Sequence, residues 1–216
     1  HGRRIVFVAG DEEYRSEEAL PLLARILHGH GFECHVLFSQ NPATGEIDPG
    51  QRNHLPGLHL LEDADLLVLF VRFRELDDSD MDFIVDYVRS GKPVTGIRTS
   101  THAFHYAAES TSRHASWGWN SDDPPGGFGG DILGETWVAH HGQHGVQATR
   151  GVIESEQQDH PILRGVGDVF GPTDVYAIRG LPDDACILLR GQVLTGLKSD
   201  DAPETVADGL KVPLKE

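Results

Sequence analysis

Leu66-Leu67-Val68-Leu69-Phe70-Val71 is the most apolar run in the chain, with no side chain suited to facing water. Such a strand needs both faces covered, which is the environment of a parallel sheet with helices above and below it. Arg4-Ile5-Val6-Phe7-Val8-Ala9 has the same character, Phe32 to Ser39 alternates and then turns apolar, and Pro93 to Ile97 is a shorter β-prone run. Helical patterns separate these runs. Leu20, Leu22, Leu23, Ile26 and Leu27 recur at helical spacing, with Pro21 expected in the first turn and Gly29 and Gly31 as the stop. Asp77-Asp78-Ser79 supplies an N-cap for an amphipathic helix carrying Met81, Phe83, Ile84, Val85, Tyr87 and Val88, closed by Ser90-Gly91. Strand and helix in alternation predict an α/β domain built on a parallel sheet.

The stretch Gly91 to His105 is the focus of that arrangement. A strand over Pro93–Ile97 breaks at Arg98-Thr99-Ser100-Thr101-His102, and Ala103 to Ala108 is helix-compatible. Residues of such a turn sit at the carboxyl end of the sheet, where open α/β sheets bind ligands, above a helix N-terminus with free N–H groups. Thr99, Ser100, Thr101 and His102 are therefore candidates by position, although a Thr or Ser there can equally serve as a helix cap. Glu12, Glu13 and Tyr14 just past the first strand, and Asp174 and Tyr176 at the start of a later one, are candidates as carboxylates and hydroxyls that could converge on an imidazole. An acid close to an imidazole can move a proton; an acidic loop can also be simply solvated. The turn lacks the G-x-S-x-G spacing of a nucleophile elbow, so Thr99 and Ser100 suit substrate contact better than attack.

Length and charge narrow the partners. The 216 residues, 38% hydrophobic and 24% charged, fit one large globular α/β domain. No apolar run approaches the ~18 residues of a membrane span. A formal net charge of −16 excludes nucleic acid and anionic lipid as natural partners and leaves a small neutral or cationic ligand. A homo-oligomer is compatible with this composition. Cys34 and Cys186 lie in apolar runs and read as buried thiols, or as one disulfide. The chain opens on His1 and not on Met, which suggests a removed segment and favours an extracytoplasmic location over a cytoplasmic one.

After Tyr106 the pattern loosens. Glu109 to Gly130, with Trp117 and Trp119, has loop composition, and a loop of that length is usually functional or a cover over apolar surface. Thr136 to Ala139, Thr149 to Glu154, Asp174 to Arg179 and Ile187 to Leu194 read as strands, Asp159-His160-Pro161 as a structural turn, and the segment after Leu197 as a polar tail. His140, His141 and His144, in a Gly-containing loop, form a candidate metal cluster for zinc or a similar divalent ion. No HExxH or CxxC motif accompanies them, and hydrogen-bonding or substrate-positioning histidines are the alternative.

Five pieces carry a resemblance: GDEEYRSEEALP from Gly10, SGKPVTGIRTSTHAF from Ser90, FGGDILGETWVAHHGQHG from Phe128, DHPILRGV from Asp159 and TDVYAIR from Thr173. Their order and spacing resemble the ThuA-like (trehalose-utilisation) family of the class I glutamine amidotransferase-like superfamily, over nearly the whole chain. The resemblance implies a flavodoxin-like, doubly wound, mostly parallel sheet in one domain over 1–216 that lacks its last strands and helix. The amidotransferases carry a nucleophilic Cys at the elbow; Arg98 stands in that position here, so glutamine hydrolysis is not expected. It further implies a carbohydrate-active enzyme working on a 3-keto sugar or glycoside by hydrolysis or elimination. His102 and His144 would be bases or ligands and Asp174 the orienter. Glu12, Tyr14, Arg98, Thr99, Ser100, Trp137 and Tyr176 would touch substrate, and Trp117, Trp119 and Trp137 would stack on a sugar ring. Val175 replaces the acidic residue usual after Asp174, which leaves no second carboxylate there. Arg98 at the elbow favours the rival reading, a non-catalytic sugar-binding module.

Overall fold

A computed structural model describes residues 2–204, which form two compact units dividing after Trp137. The first is built on four parallel strands, β1 (Arg4–Gly10), β2 (Glu33–Phe38), β3 (Leu66–Val71) and β4 (Val94–Gly96), in the order β2-β1-β3-β4. Helix α1 (Ser16–Gly29) joins β1 to β2 and α2 (Asp78–Arg89) joins β3 to β4. This is a mixed α/β architecture on a parallel sheet, as the apolar runs require.

The two central strands show why. Side chains alternate across a strand, and here each face finds its own cover. Ile5, Phe7 and Ala9 of β1 and Val68 and Phe70 of β3 are buried with Leu20 and Ala24 of α1. Val6, Val8, Leu67, Leu69 and Val71 are buried on the opposite face with Met81, Ile84 and Val85 of α2. β1 runs between β2 and β3, so the chain winds to one side and then to the other, and the crevice opens at the carboxyl ends of β1 and β3.

Several local expectations are corrected. α1 starts at Ser16, so Pro21 lies inside the helix, in its second turn and not in its first, where its missing N–H costs the helix one i→i−4 hydrogen bond. Asp77 precedes α2 without a side-chain capping bond. The connection after β2 has a Pro/Gly/Asn-rich composition over 41–58 that reads as a long surface connection, yet Leu55 and Leu58, with Leu61 just beyond, are buried in the core. Residues 103–108 are not helical. Arg98–His102 make a single 3-10 turn, after which the chain runs extended beside Arg74, whose N–H donates to the Ala103 carbonyl (2.7 Å) and whose carbonyl accepts from His105 (2.9 Å). The pull of Ala103, Phe104 and Tyr106 into the core wins over helix propensity. No α-helix N-terminus therefore lies beneath the turn.

Within 109–130, Trp117 is packed against Phe128 of the short helix α3 (Gly127–Ile132) and belongs to the core. It is removed from the set of ring-stacking candidates. The second unit carries β5 (His140–His141) paired antiparallel with β8 (Val175–Tyr176), and a three-stranded antiparallel sheet β7-β6-β9. Its strands are β6 (Thr149–Ile153), β7 (Val169–Gly171) and β9 (Leu189–Val193). The expected strand at 136–139 is replaced by β5, and β7 has no counterpart in the sequence reading. The tail from 205 onward lies outside the described residues. Both cysteines are free, Cys34 half-buried with its thiol pushed up by burial, and Cys186 exposed.

Arg74 ties the first unit together. Its side chain is 1% exposed and donates to the carbonyls of Arg72 (2.8 Å), Pro49 (3.0 Å) and Gln51 (2.7 Å), to Ser39 Oγ (3.2 Å) and to Glu12 (3.1 Å). Burial pulls its guanidinium down to about 10, against the opposing carboxylate of Glu12. Replacing Arg74 by Met strands these acceptors and should cost about 3–5 kcal/mol in urea unfolding. Leu22→Ala, at a site 64% exposed, should change the same midpoint by less than about 0.5 kcal/mol.

Candidate functional site

The loop after β1 is organised by Asp11, which is 0% exposed. Its Oδ1 accepts from the N–H groups of Glu13 (2.7 Å) and Tyr14 (2.6 Å), and its own N–H donates to Ser16 Oγ (2.9 Å). Its Oδ2 accepts from the hydroxyl of Thr99, so the loops after β1 and β4 are bolted together. Ser100 donates to the Leu69 carbonyl (2.9 Å) and accepts from the Val71 N–H (3.3 Å). Thr99 and Ser100, expected to meet substrate, are fully buried and fasten the turn to the sheet.

Arg98 sits at the elbow with φ 41, a left-handed backbone that costs a non-glycine residue energy and is usually kept where function needs it. Its guanidinium lies 4.4 Å over the Tyr14 ring and donates to the Tyr14 hydroxyl (2.6 Å). Glu12 is paired with Arg72 and Arg74, and Glu13 with Arg72 (3.1 Å).

Phe73, two residues past β3, also has a left-handed backbone (φ 51) and starts an aromatic circuit. Its ring is 4.9 Å from His102, His102 is 6.1 Å from Trp137, Trp137 is 5.8 Å from Trp119, and Trp119 is 6.0 Å from Phe73. All four contacts are tilted or edge-on, the arrangement aromatic quadrupoles prefer. His102 is a wall of this circuit, 4% exposed, with Nδ1 3.1 Å from Thr101 Oγ1. Phe73, Trp119 and Trp137 are half-buried and lie outside both apolar cores.

In the second unit, His140, His144 and Asp174 converge, each offering a ligand atom within 4.8 Å of the others. Register explains half of this: His140 stands directly across from Tyr176, while His141 opposes Val175 and faces the other side of the ribbon. The other half is a tight turn. Gly142 has φ 98, and a Cβ there would come 3.3 Å from Val193 and 3.5 Å from Asp174. The reversal at Gly142 brings His144 back to the carboxylate that His140 already contacts. Asp174 is 0% exposed; Oδ2 meets His140 Nδ1, and Oδ1 meets His144 Nδ1 (2.8 Å) and the Thr173 hydroxyl (3.3 Å). The imidazoles keep 38% and 47% of their side chains exposed, so the group is open on its histidine side. The Tyr176 ring stands edge-on to His140 at 5.8 Å. The candidate ligand set is thus two histidines and an aspartate, without His141.

Compared with family models, curated proteins and solved structures, the chain has no significant match to any. The site is therefore read from its own chemistry.

Sequence reasoning overlooked Asp11 and Phe73. Asp11 had a signal, being the first polar residue after an apolar strand end. Phe73 had none, since its importance lies in a backbone angle. Asp11→Ala should cost about 2–4 kcal/mol in chemical unfolding, because three donors lose a charged acceptor in a dry site. Asp11→Asn, which keeps an acceptor oxygen, should cost markedly less; equal losses would assign the effect to volume alone.

Proposed function

We propose that this chain is a ThuA-like enzyme with a flavodoxin-like sheet, acting on an oxidised (3-keto) sugar or glycoside by hydrolysis or elimination. The convergence of His140, His144 and Asp174 carries the reading. Two imidazole nitrogens and one carboxylate oxygen suit zinc and its first-row neighbours, and three protein ligands leave a position for water or substrate. A bound ion of this kind supplies Lewis acidity toward a carbonyl oxygen. The residues fit such a group on their own terms: Asp174 is buried with an imidazole on each oxygen, and a buried carboxylate demands compensating positive charge or donors. Where no ion is held, His144, the more exposed imidazole, would instead be the residue able to take a proton from a polyol substrate. Tyr176, across the ribbon from His140, is placed to limit access to that histidine.

In the first unit, the half-buried faces of Trp119 and Trp137 suit the C–H face of a sugar ring. The β2-β1-β3-β4 order supports the flavodoxin-like assignment, and the left-handed Arg98 at the elbow supports the family reading. Arg98 also favours the second reading, a sugar-binding module without catalysis, because a guanidinium at that place cannot serve as a nucleophile.

Protein prepared without nickel affinity steps should contain close to one divalent metal per chain by elemental analysis. Chelation should abolish turnover of 3-keto-glycosides, and Asp174→Ala and His144→Ala should each lose metal and turnover while keeping their far-UV circular dichroism. Metal-replete wild-type protein that binds a keto-glycoside without turning it over would leave the binding module standing and remove the enzyme.

A further inference from the structure

The main chains of Phe73 and Trp119 hang on one short stretch of the first unit. The Phe73 N–H donates to the His102 carbonyl (3.0 Å), the Arg74 N–H to the Ala103 carbonyl (2.7 Å) and the Trp119 N–H to the Phe104 carbonyl (2.9 Å). The carbonyl of Trp119 accepts from the Thr136 hydroxyl (2.9 Å), and that of Phe73 from Arg52 Nε (2.6 Å). Both backbones are therefore fixed on either side. The Trp119 ring is not fixed in that way, because it lies outside both apolar cores. Among the described residues its aromatic neighbours are Phe73 (6.0 Å) and Trp137 (5.8 Å). A half-buried indole keeps one rotamer only where its neighbours hold it.

We propose that Phe73 is the positioning residue of the sugar subsite, its ring setting the Trp119 indole for stacking. A phenylalanine at φ 51 is a backbone outlier, and such residues persist only where their surroundings over-determine them. Core burial does not offset the strain here, since Phe73 is half-buried and belongs to neither core. What the left-handed turn achieves is to set one ring beside Trp119, His102 (4.9 Å) and His105 (5.8 Å) together, with the Arg72 guanidinium 4.5 Å over it. At an ordinary φ the Cα–Cβ bond would leave this pinned backbone in another direction, and the ring would miss Trp119. The place is also the right one: Phe73 follows β3, beside the crevice at the carboxyl ends of β1 and β3. A stacking ring held in advance loses little freedom when a ligand arrives.

The assignment rests on the sugar reading above, and the test separates the two. The probes are methyl glucoside and its 3-keto derivative, titrated calorimetrically into the full chain. Phe73→Leu should weaken binding by about tenfold, the order expected when an aromatic contact is lost, and Phe73→Tyr, which keeps the ring, should stay close to wild type. Where the 3-keto derivative is turned over, the loss in Phe73→Leu should fall on KM and not on kcat. The tryptophan bands of the near-ultraviolet circular dichroism should change in Phe73→Leu as they do in Trp119→Phe, and not in Phe73→Tyr. Phe73→Gly, which adopts a left-handed backbone without strain, should melt above Phe73→Ala. Phe73→Leu with the wild-type spectrum and affinity would overturn the role of Phe73 and leave the sugar reading intact. Equal losses in Phe73→Leu and Phe73→Tyr would show a merely structural role and overturn it too, as would Phe73→Gly melting below Phe73→Ala. Wild type that binds neither glycoside would overturn both readings. Binding without turnover, weakened in Phe73→Leu, would support the role of Phe73 and remove the enzyme.

Discussion

Two strands with no polar face dictate the architecture of the first unit. β1 and β3 are buried on both sides, so neither tolerates water, and each must be flanked by a strand and covered by a helix above and below. At ~25 cal/mol per Å² of apolar surface, such a sandwich outweighs local preferences nearby. The same burial decides where polar chemistry can begin. The first polar residues past β1 and β3 are Asp11, Glu12, Arg72 and Arg74, and all are engaged by partners because they emerge from a dry interior.

The polar edge is accordingly a frame of charge-assisted hydrogen bonds and not a set of loose loops. Asp11 fixes the loop after β1 from within and ties it to the turn after β4 through Thr99. Arg74 gathers the long connection after β2 by its carbonyls. A frame with this few degrees of freedom can hold strained backbone, and the left-handed residues Phe73 and Arg98 both occur inside it. Thr99 and Ser100 are committed to holding the frame, which is why their hydroxyls are not available for a ligand.

What the sequence made legible follows the same division. β1, β2, β3, β6 and α2 lie where periodicity places them, since burial on one or both faces imprints a period on the residues themselves. Ala103 to Ala108 reads as helix because its composition is helix-compatible, but its extended path is set by pairing with Arg74, almost thirty positions earlier. Thr136 to Ala139 looks more strand-like than His140-His141, yet the ribbon forms where Val175 and Tyr176 supply a partner. Histidine spacing suggests a cluster of His140, His141 and His144. The pleat of β5 sends His141 to the opposite side, and Asp174 joins from thirty or more residues away. Spacing along the chain carries no trace of that last contact.

The elbow and the histidine cluster bear differently on chemistry. Holding Arg98 at φ 41 costs on the order of 1 kcal/mol or more relative to an ordinary backbone. In a hydrolase such strain exposes a nucleophile, but a guanidinium is permanently protonated and cannot attack carbon. The strain here instead sets the Arg98 guanidinium over the Tyr14 ring with a hydrogen bond to its hydroxyl, a geometry that fixes a positive charge and an aromatic face together. The guanidinium of that pair can bind and orient but cannot accept a proton, and it holds the Tyr14 hydroxyl by a hydrogen bond. A bond-breaking step would draw on groups able to change protonation or hold an electrophile, and the open edges of His140 and His144 on a buried carboxylate are groups of that kind.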